Sequence, residues 1–211
     1  MAELVVLVPV LGRPKNVAPL LEAFARTTPS HRLLFIADRH DRAEVSAIRR
    51  VGAEYLIRTG GYASKIHAGV VETDEPLVLT AADDLVPHAG WYEAARSQMG
   101  GGIEVVGLND LIDRSREHAT HFLMTRHYAE LPAIDGRRGP FSHAYGHWRV
   151  DDEFIATAKT RGAYRYCPEA VLEHRHPMNK TAPDDDTYRK GRASARQDNR
   201  IFRRRERLWT T

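Results

Sequence analysis

The sequence predicts an α/β fold, a mostly parallel central sheet flanked by helices, on three observations. Short apolar, β-branched runs alternate with stretches of 3.6-residue periodicity through roughly residues 1 to 100. The connections are short, as right-handed crossover units require. The runs around residues 32–37 and 76–81 both release acidic residues at their carboxyl ends, where open α/β sheets bind ligands. A length of 211 residues with 42% hydrophobic and 28% charged residues suits one globular domain with a good core.

Leu4 to Val10 reads as the first strand, closed by Gly12 and Pro14. Val17, Leu20, Leu21 and Phe24 share one helical face, which Thr27-Thr28-Pro29-Ser30 ends. Arg32 to Ala37 forms the next strand and delivers Asp38 at its end; Ala43, Ala47, Ile48 and Val51 mark a second helix. Tyr55-Leu56-Ile57 is a third strand, and a helix follows from about Tyr62 to Glu72 with Lys65 and His67 near its amino end, where the backbone N–H groups and helix dipole favour phosphate. The fourth run, Pro76 to Ala81, leads into Asp83 and Asp84. Beyond Gly100-Gly101-Gly102 the pattern is less regular: strands at Ile103–Gly107 and His121–Thr125, a Gly/Pro/Arg/His-rich loop from Asp135 to Trp148, a helix from Asp151 to Arg161, and a last strand at Val171–His174. From Asp184 the chain is polar and helical in tendency, ending near Arg203-Arg204-Arg205 and Trp209. We divide the single domain into residues 1–100, 101–183 and a tail of 184–211.

The net charge of +3 is mild and implies no stable nucleic-acid partner; the tail arginines read as a solvated helix face. A single cysteine, Cys167, excludes an internal disulfide and a multi-cysteine zinc site. The first apolar run is too short for a signal peptide or membrane span, so a cytoplasmic protein without a transmembrane segment is expected. No GxGxxG after a strand, P-loop, serine-hydrolase elbow or HExxH occurs.

What remains is a set of acids and histidines in order. Thr80-Ala81-Ala82-Asp83-Asp84-Leu85 with Gly90-Trp91 resembles the metal-binding DxD segment of GT-A-fold nucleotide-sugar glycosyltransferases, particularly family 2. Val8 to Pro14 is similar to that family's first strand and turn, and Tyr62 to Gly69 to its ArNxG helix start, with Lys65 for arginine and His67 for asparagine. Val150-Asp151-Asp152-Glu153-Phe154 matches the ED-x-(D/E)-L segment, and His174 the late histidine of the metal shell. Two positions depart: Ala81 replaces the first DxD acid and Val150 the acid before the base. The resemblance, over roughly residues 4 to 180, implies a hexosyltransferase that inverts the anomeric centre, moving sugar from a UDP- or GDP-sugar donor to a hydroxyl acceptor with Mn²⁺ or Mg²⁺. It places Asp83 and Asp84 with His174 or His176 at the metal and Asp151 at the general base, with Glu153 the next carboxylate. Pro9, Arg13, Asp38, Lys65, Asp83 and Lys180 would surround the donor.

The chemistry stands apart from the likeness. Departing diphosphate carries negative charge that an oxygen-ligated divalent ion stabilises. An attacking hydroxyl needs a carboxylate base opposite the leaving group. Trp91 and Trp148 offer flat faces on which an acceptor sugar can stack. Each residue has a structural reading too: Asp84 and Asp151 as helix caps or first-turn acids, Asp38 as a turn residue, Lys65 as a solvated cation, His174 as a hydrogen-bonded structural histidine, the tryptophans as core. Two other functions share the pattern, a nucleotidyltransferase on the same fold and a zinc hydrolase built from His143, His147, Asp151, His174 and His176.

Overall fold

A computed structural model describes residues 2–112 and 117–210. Its strands and helices alternate as β1 (Leu4–Pro9), α1 (Val17–Thr27), β2 (His31–Ala37), α2 (Arg42–Arg50), β3 (Glu54–Ile57), α3 (Tyr62–Val71), β4 (Leu77–Thr80), β5 (Leu85–Pro87) and α4 (Trp91–Ser97). The second half adds β6 (Val105–Asn109), β7 (Phe122–Thr125), α5 (Arg126–Glu130), α6 (Val150–Thr160), β8 (Tyr164–His174), α7 (Asp186–Ala193) and α8 (Ala195–Arg205).

The sheet order is β3-β2-β1-β4-β7-β6-β8-β5. β1, β2, β3 and β4 are parallel, as the crossover pattern predicts, and β7 turns the sheet antiparallel against β4. β1 is buried almost throughout because it lies between two strands with helices on both faces, so its run LVVLVP needs no polar alternation. Side chains alternate between two cores: Leu4, Val6 and Val8 pack with α1 and Trp91, while Val5 and Leu7 pack with α3, Phe122 and Phe154. Gly69 lets α3 lie close on the second face, since a Cβ there would stand 2.8 Å from Leu7 Cδ2 and 2.9 Å from Ile36 Cδ1.

Three elements differ from expectation. The fourth strand ends at Thr80, and Ala81–Asp84 turn the chain into β5, a short strand hidden from pattern reading by its three-residue length. β8 is eleven residues rather than four; polar Arg165, Glu169 and Glu173 break its apolar pattern on the side away from the core. The helix expected at Asp151 begins at Val150. Among the described residues no helix is long and apolar enough to cross a membrane.

Candidate active site

Four segments meet at the carboxyl ends of the parallel strands. The β1–α1 turn is fixed from α2: Asp41 Oδ2 accepts from Gly12 N at 2.6 Å, and buried Glu44 Oε2 accepts from Arg13 N at 2.8 Å. Gly12 takes φ +71°, a conformation glycine adopts without strain. This aims Arg13 across β4's end. Arg13 Nη1 donates to Asp83 Oδ1 at 3.0 Å and to Asp84 Oδ2 at 2.6 Å.

β5 and β8 bring in the histidine. Leu85 pairs antiparallel with His174, and Arg175 N donates to the Asp84 carbonyl at 2.9 Å, so the side chains of Asp84 and His174 become neighbours. His174 Nε2 stands 3.2 Å from Asp84 Oδ1 as an ion pair. Burial opposes ionisation of Asp84, yet His174, the Tyr188 hydroxyl and Arg13 together hold it well below the usual carboxylate range. Asp83 goes the other way: burial, then the charge of Asp84, pushes it well above the usual carboxylate range against the pull of Arg13.

One carboxylate oxygen here, Asp83 Oδ2, is buried and accepts no hydrogen bond among the described residues, while Asp84 Oδ1 has only the His174 ion pair. Orphaned oxygens of this kind are costly unless a cation completes them. Asp83, Asp84 and His174 therefore fit a hard divalent ion that takes a few protein ligands and fills its shell with phosphate oxygens and water. Among the described residues no three His, Cys, Asp or Glu side chains form a ready cage for a metal. His176 is drawn into a local role: its Nδ1 accepts from Met178 N at 3.1 Å, and its ring lies 4.5 Å from that of Tyr188.

Asp151 lies in the first turn of α6, one residue past its first, rather than at the cap; Arg149, with φ +69°, holds the cap position. Its Oδ2 is 3.3 Å from His118 Nε2. The Asp151 contact raises His118 to about 9, and despite burial His118 keeps Asp151 ionised below the usual range. Two histidines lie within electrostatic reach of both the acid pair's surroundings and Asp151. Buried His121, with its ring 5.2 Å from that of His174, feels both Asp84 and Asp151; His147 feels Asp151, His174 and Arg13. Asp84, Asp151 and His174 thus all lie within electrostatic reach of His121.

The remaining assignments divide. Asp38 sits at the end of β2 with Oδ1 accepting from His40 N, an Asx turn. Pro9 is half-buried at the end of β1, and Lys180 is exposed in the left-handed region after a short helical turn. Lys65 is neither solvated nor on the surface: it is buried and donates to the Val10 carbonyl at 2.8 Å, with burial lowering its pKa against the acids Asp38, Asp41, Glu44 and Asp83. It braces the loop from beneath. Trp148 is half-buried in the loop before α6.

Two expectations need correction. Trp91 is fully buried, its Nε1 donating to Thr28 Oγ1 at 3.0 Å and its ring packed edge-on to Phe24, so it is core and presents no face to an acceptor. Glu153 is buried and taken up by Arg205, at 2.7 Å to each of its oxygens, and by the Tyr145 hydroxyl at 2.6 Å; it anchors α8 and has no oxygen left to act as base.

The tail contributes what pattern reading missed. Asp198 of α8 accepts from the backbone N–H groups of Gly146, His147 and Trp148 at 2.8 to 2.9 Å, fixing the loop before α6. Asp185 holds Arg13 through two bonds, and Tyr188 stacks over its guanidinium at 4.1 Å.

No family model matches the chain, and no curated protein matches it in sequence. Solved structures do. A mannosyltransferase from Pyrobaculum calidifontis, in complex with GDP-Man and Mn²⁺, superposes with a TM-score of 0.67 at 15% identity, over 93% of this chain and 61% of that one. This chain thus spans less than two thirds of that enzyme. Glucosyl-3-phosphoglycerate synthase from Mycobacterium tuberculosis, in complex with Mn²⁺, UDP and glucosyl-3-phosphoglycerate, gives a TM-score of 0.63 at 14% identity over 92% and 77%. The likeness shows the fold, which is the GT-A fold the sequence led us to expect.

Proposed function

We propose that this chain is an inverting glycosyltransferase that transfers a sugar from a nucleotide-diphosphate donor to a hydroxyl acceptor. The observation that carries the reading is the buried acid pair, Asp83 with its orphaned Oδ2 and Asp84 in its ion pair with His174, at the carboxyl ends of parallel strands and within the electrostatic reach of the region that holds Asp151. The two similar solved structures, crystallised with Mn²⁺ and a nucleotide or nucleotide sugar, support the choice of ligand class.

Asp83, Asp84 and His174 would hold Mn²⁺ or Mg²⁺, whose chemistry when bound is Lewis-acid stabilisation of the leaving diphosphate. Asp38, at the end of β2, would meet the nucleotide base, and Arg13 the phosphates. Asp151 takes the proton of the attacking hydroxyl; His118, protonated at neutral pH, holds the carboxylate ionised and fixes its orientation. Attack assisted by one carboxylate, without a protein nucleophile, inverts the anomeric centre. Trp148 borders the acceptor side. Positioning of the two substrates supplies much of the rate.

A screen of UDP- and GDP-sugars for nucleoside diphosphate release, with Mn²⁺ and with EDTA, tests the reading. Release that needs acceptor and is abolished by EDTA is the expected result; pyrophosphate release from a nucleoside triphosphate and sugar phosphate would mark a nucleotidyltransferase instead.

A further inference from the structure

Arg13 divides its guanidinium between two sets of acids. Nη1 alone faces the pair, at 3.0 Å from Asp83 Oδ1 and 2.6 Å from Asp84 Oδ2. Nε and Nη2 face away, to Asp185 Oδ2 at 2.8 Å and Oδ1 at 3.1 Å, in the two-pronged geometry that fixes a guanidinium most firmly. The Tyr188 hydroxyl closes the arrangement, 2.6 Å from Asp84 Oδ2 and 2.7 Å from the Arg175 carbonyl, with one proton for the two acceptors. Three carboxylates thus crowd one guanidinium, whose side chain is 8% exposed. Even with His174 paired to Asp84 Oδ1, Asp83 Oδ2 stays unsatisfied. The cluster is short of positive charge, and Nη1 contacts both aspartates at once.

We infer that Arg13 is a partner-exchanging residue: Nη1 holds the cation position between Asp83 and Asp84 until metal and nucleotide arrive together, and Asp185 keeps the guanidinium in place through the exchange. The inference rests on the metal and donor reading above. A metal ion arriving alone must break both Nη1 ion pairs and leave a buried guanidinium nitrogen without an anion, which opposes binding. A nucleoside diphosphate arriving with the ion gives Nη1 a new anion beside the old one. Metal and nucleotide therefore assist each other, and by linkage each raises the other's affinity by the same factor. Asp185 and Tyr188 act through Arg13 and are positioning residues; they bring the tail, which has no counterpart among the matched motifs, into the control of loading.

The test is a Mn²⁺ titration read by the electron paramagnetic resonance of the free ion, on the full chain, with and without UDP or GDP and with no sugar acceptor. Wild type should bind Mn²⁺ weakly alone and about tenfold or more tightly with nucleotide. Arg13→Gln should bind Mn²⁺ alone about tenfold more tightly than wild type and lose most of the nucleotide effect. Tyr188→Phe, which spares the guanidinium and removes one of the two donors on Asp84 Oδ2, should tighten nucleotide-free Mn²⁺ binding severalfold, and Asp185→Asn should weaken the nucleotide effect; both remain informative if Arg13→Gln fails to fold. Equal Mn²⁺ affinity in wild type, Arg13→Gln and Tyr188→Phe, or an undiminished nucleotide effect in Asp185→Asn, would overturn the inference. Because no sugar transfer is measured, Arg13-dependent coupling in a chain that transfers no sugar would uphold this exchange while sinking the glycosyltransferase reading, and the reverse result would do the opposite.

Discussion

Removing Arg205 isolates the contact that ties the tail to the body of the protein. Its guanidinium reaches both oxygens of Glu153 at 2.7 Å, Asp135 Oδ2 at 3.0 Å and Ser142 Oγ at 3.0 Å, with the Glu153 side chain 3% exposed. An exposed pair would contribute up to about 1 kcal/mol, but Glu153 cannot turn to solvent when its partner goes. Arg205→Ala strands a carboxylate whose only other donor is the Tyr145 hydroxyl, and a stranded buried charge costs about 3–5 kcal/mol. For a chain of this size that is a fall in melting temperature of roughly 6–20 °C. Urea unfolding followed by circular dichroism measures it. The double variant Glu153→Gln, Arg205→Met should recover much of the loss, since a neutral pair of similar volume leaves no buried charge. A loss below about 1 kcal/mol for Arg205→Ala, or a double variant weaker than the single, would refute the reasoning.

Asp151→Asn should abolish sugar transfer while leaving nucleotide-induced stabilisation within error of wild type, checked by kinetics beside thermal shift; retained transfer would remove Asp151 as base. His118 carries a pH signature. Its folded pKa, about 9, lies above the unfolded value, so its contribution is whole below about pH 6.5 and is lost as pH rises through about 9. The stability gap between wild type and His118→Gln should then be widest near pH 6 and close by about pH 10, and a gap independent of pH contradicts the ion pair. Gly69→Ala should cost about 1–3 kcal/mol in urea unfolding, because its Cβ would press on Leu7 and Ile36 in the middle of the sheet face.

The parallel half of the fold was legible because its signals are local. β1, β2 and α1 each carry a full period of apolar residues, Asp38 follows a strand end directly, and Asp83 and Asp84 lie in the short turn after another. The second half was read less well because β5 is too short to show a period and β8 gains its length by pairing with β6 and β5, a tertiary cause that no window of sequence contains. The site divides in the same way. Asp83, Asp84 and His174 stand in ordered motifs. Asp185, Tyr188, Asp198 and Arg205 lie in a stretch that reads as a polar helix with a solvated face, and their partners, Arg13, Asp84, the 146–148 loop and Glu153, are about fifty to 170 residues away in sequence. One signal was available: Asp198 and Arg205 are seven residues apart, two turns of one helix, which places both on the face toward the domain. Trp91 and Glu153 failed as site residues for one reason, that exposure cannot be read from identity when a polar or aromatic group finds a buried partner.

The central claim is that the carboxylates of Asp83 and Asp84, with His174, seat a divalent ion that binds a nucleotide's diphosphate. Anomalous diffraction at the manganese edge, from crystals grown with Mn²⁺ and UDP or GDP, locates that ion directly. The account predicts one manganese peak at coordination distance from Asp84 and the diphosphate, with Arg13 turned from the acid pair to the phosphates. Nucleotide bound elsewhere, or Arg13 still seated between the two aspartates with manganese on another surface, would contradict it.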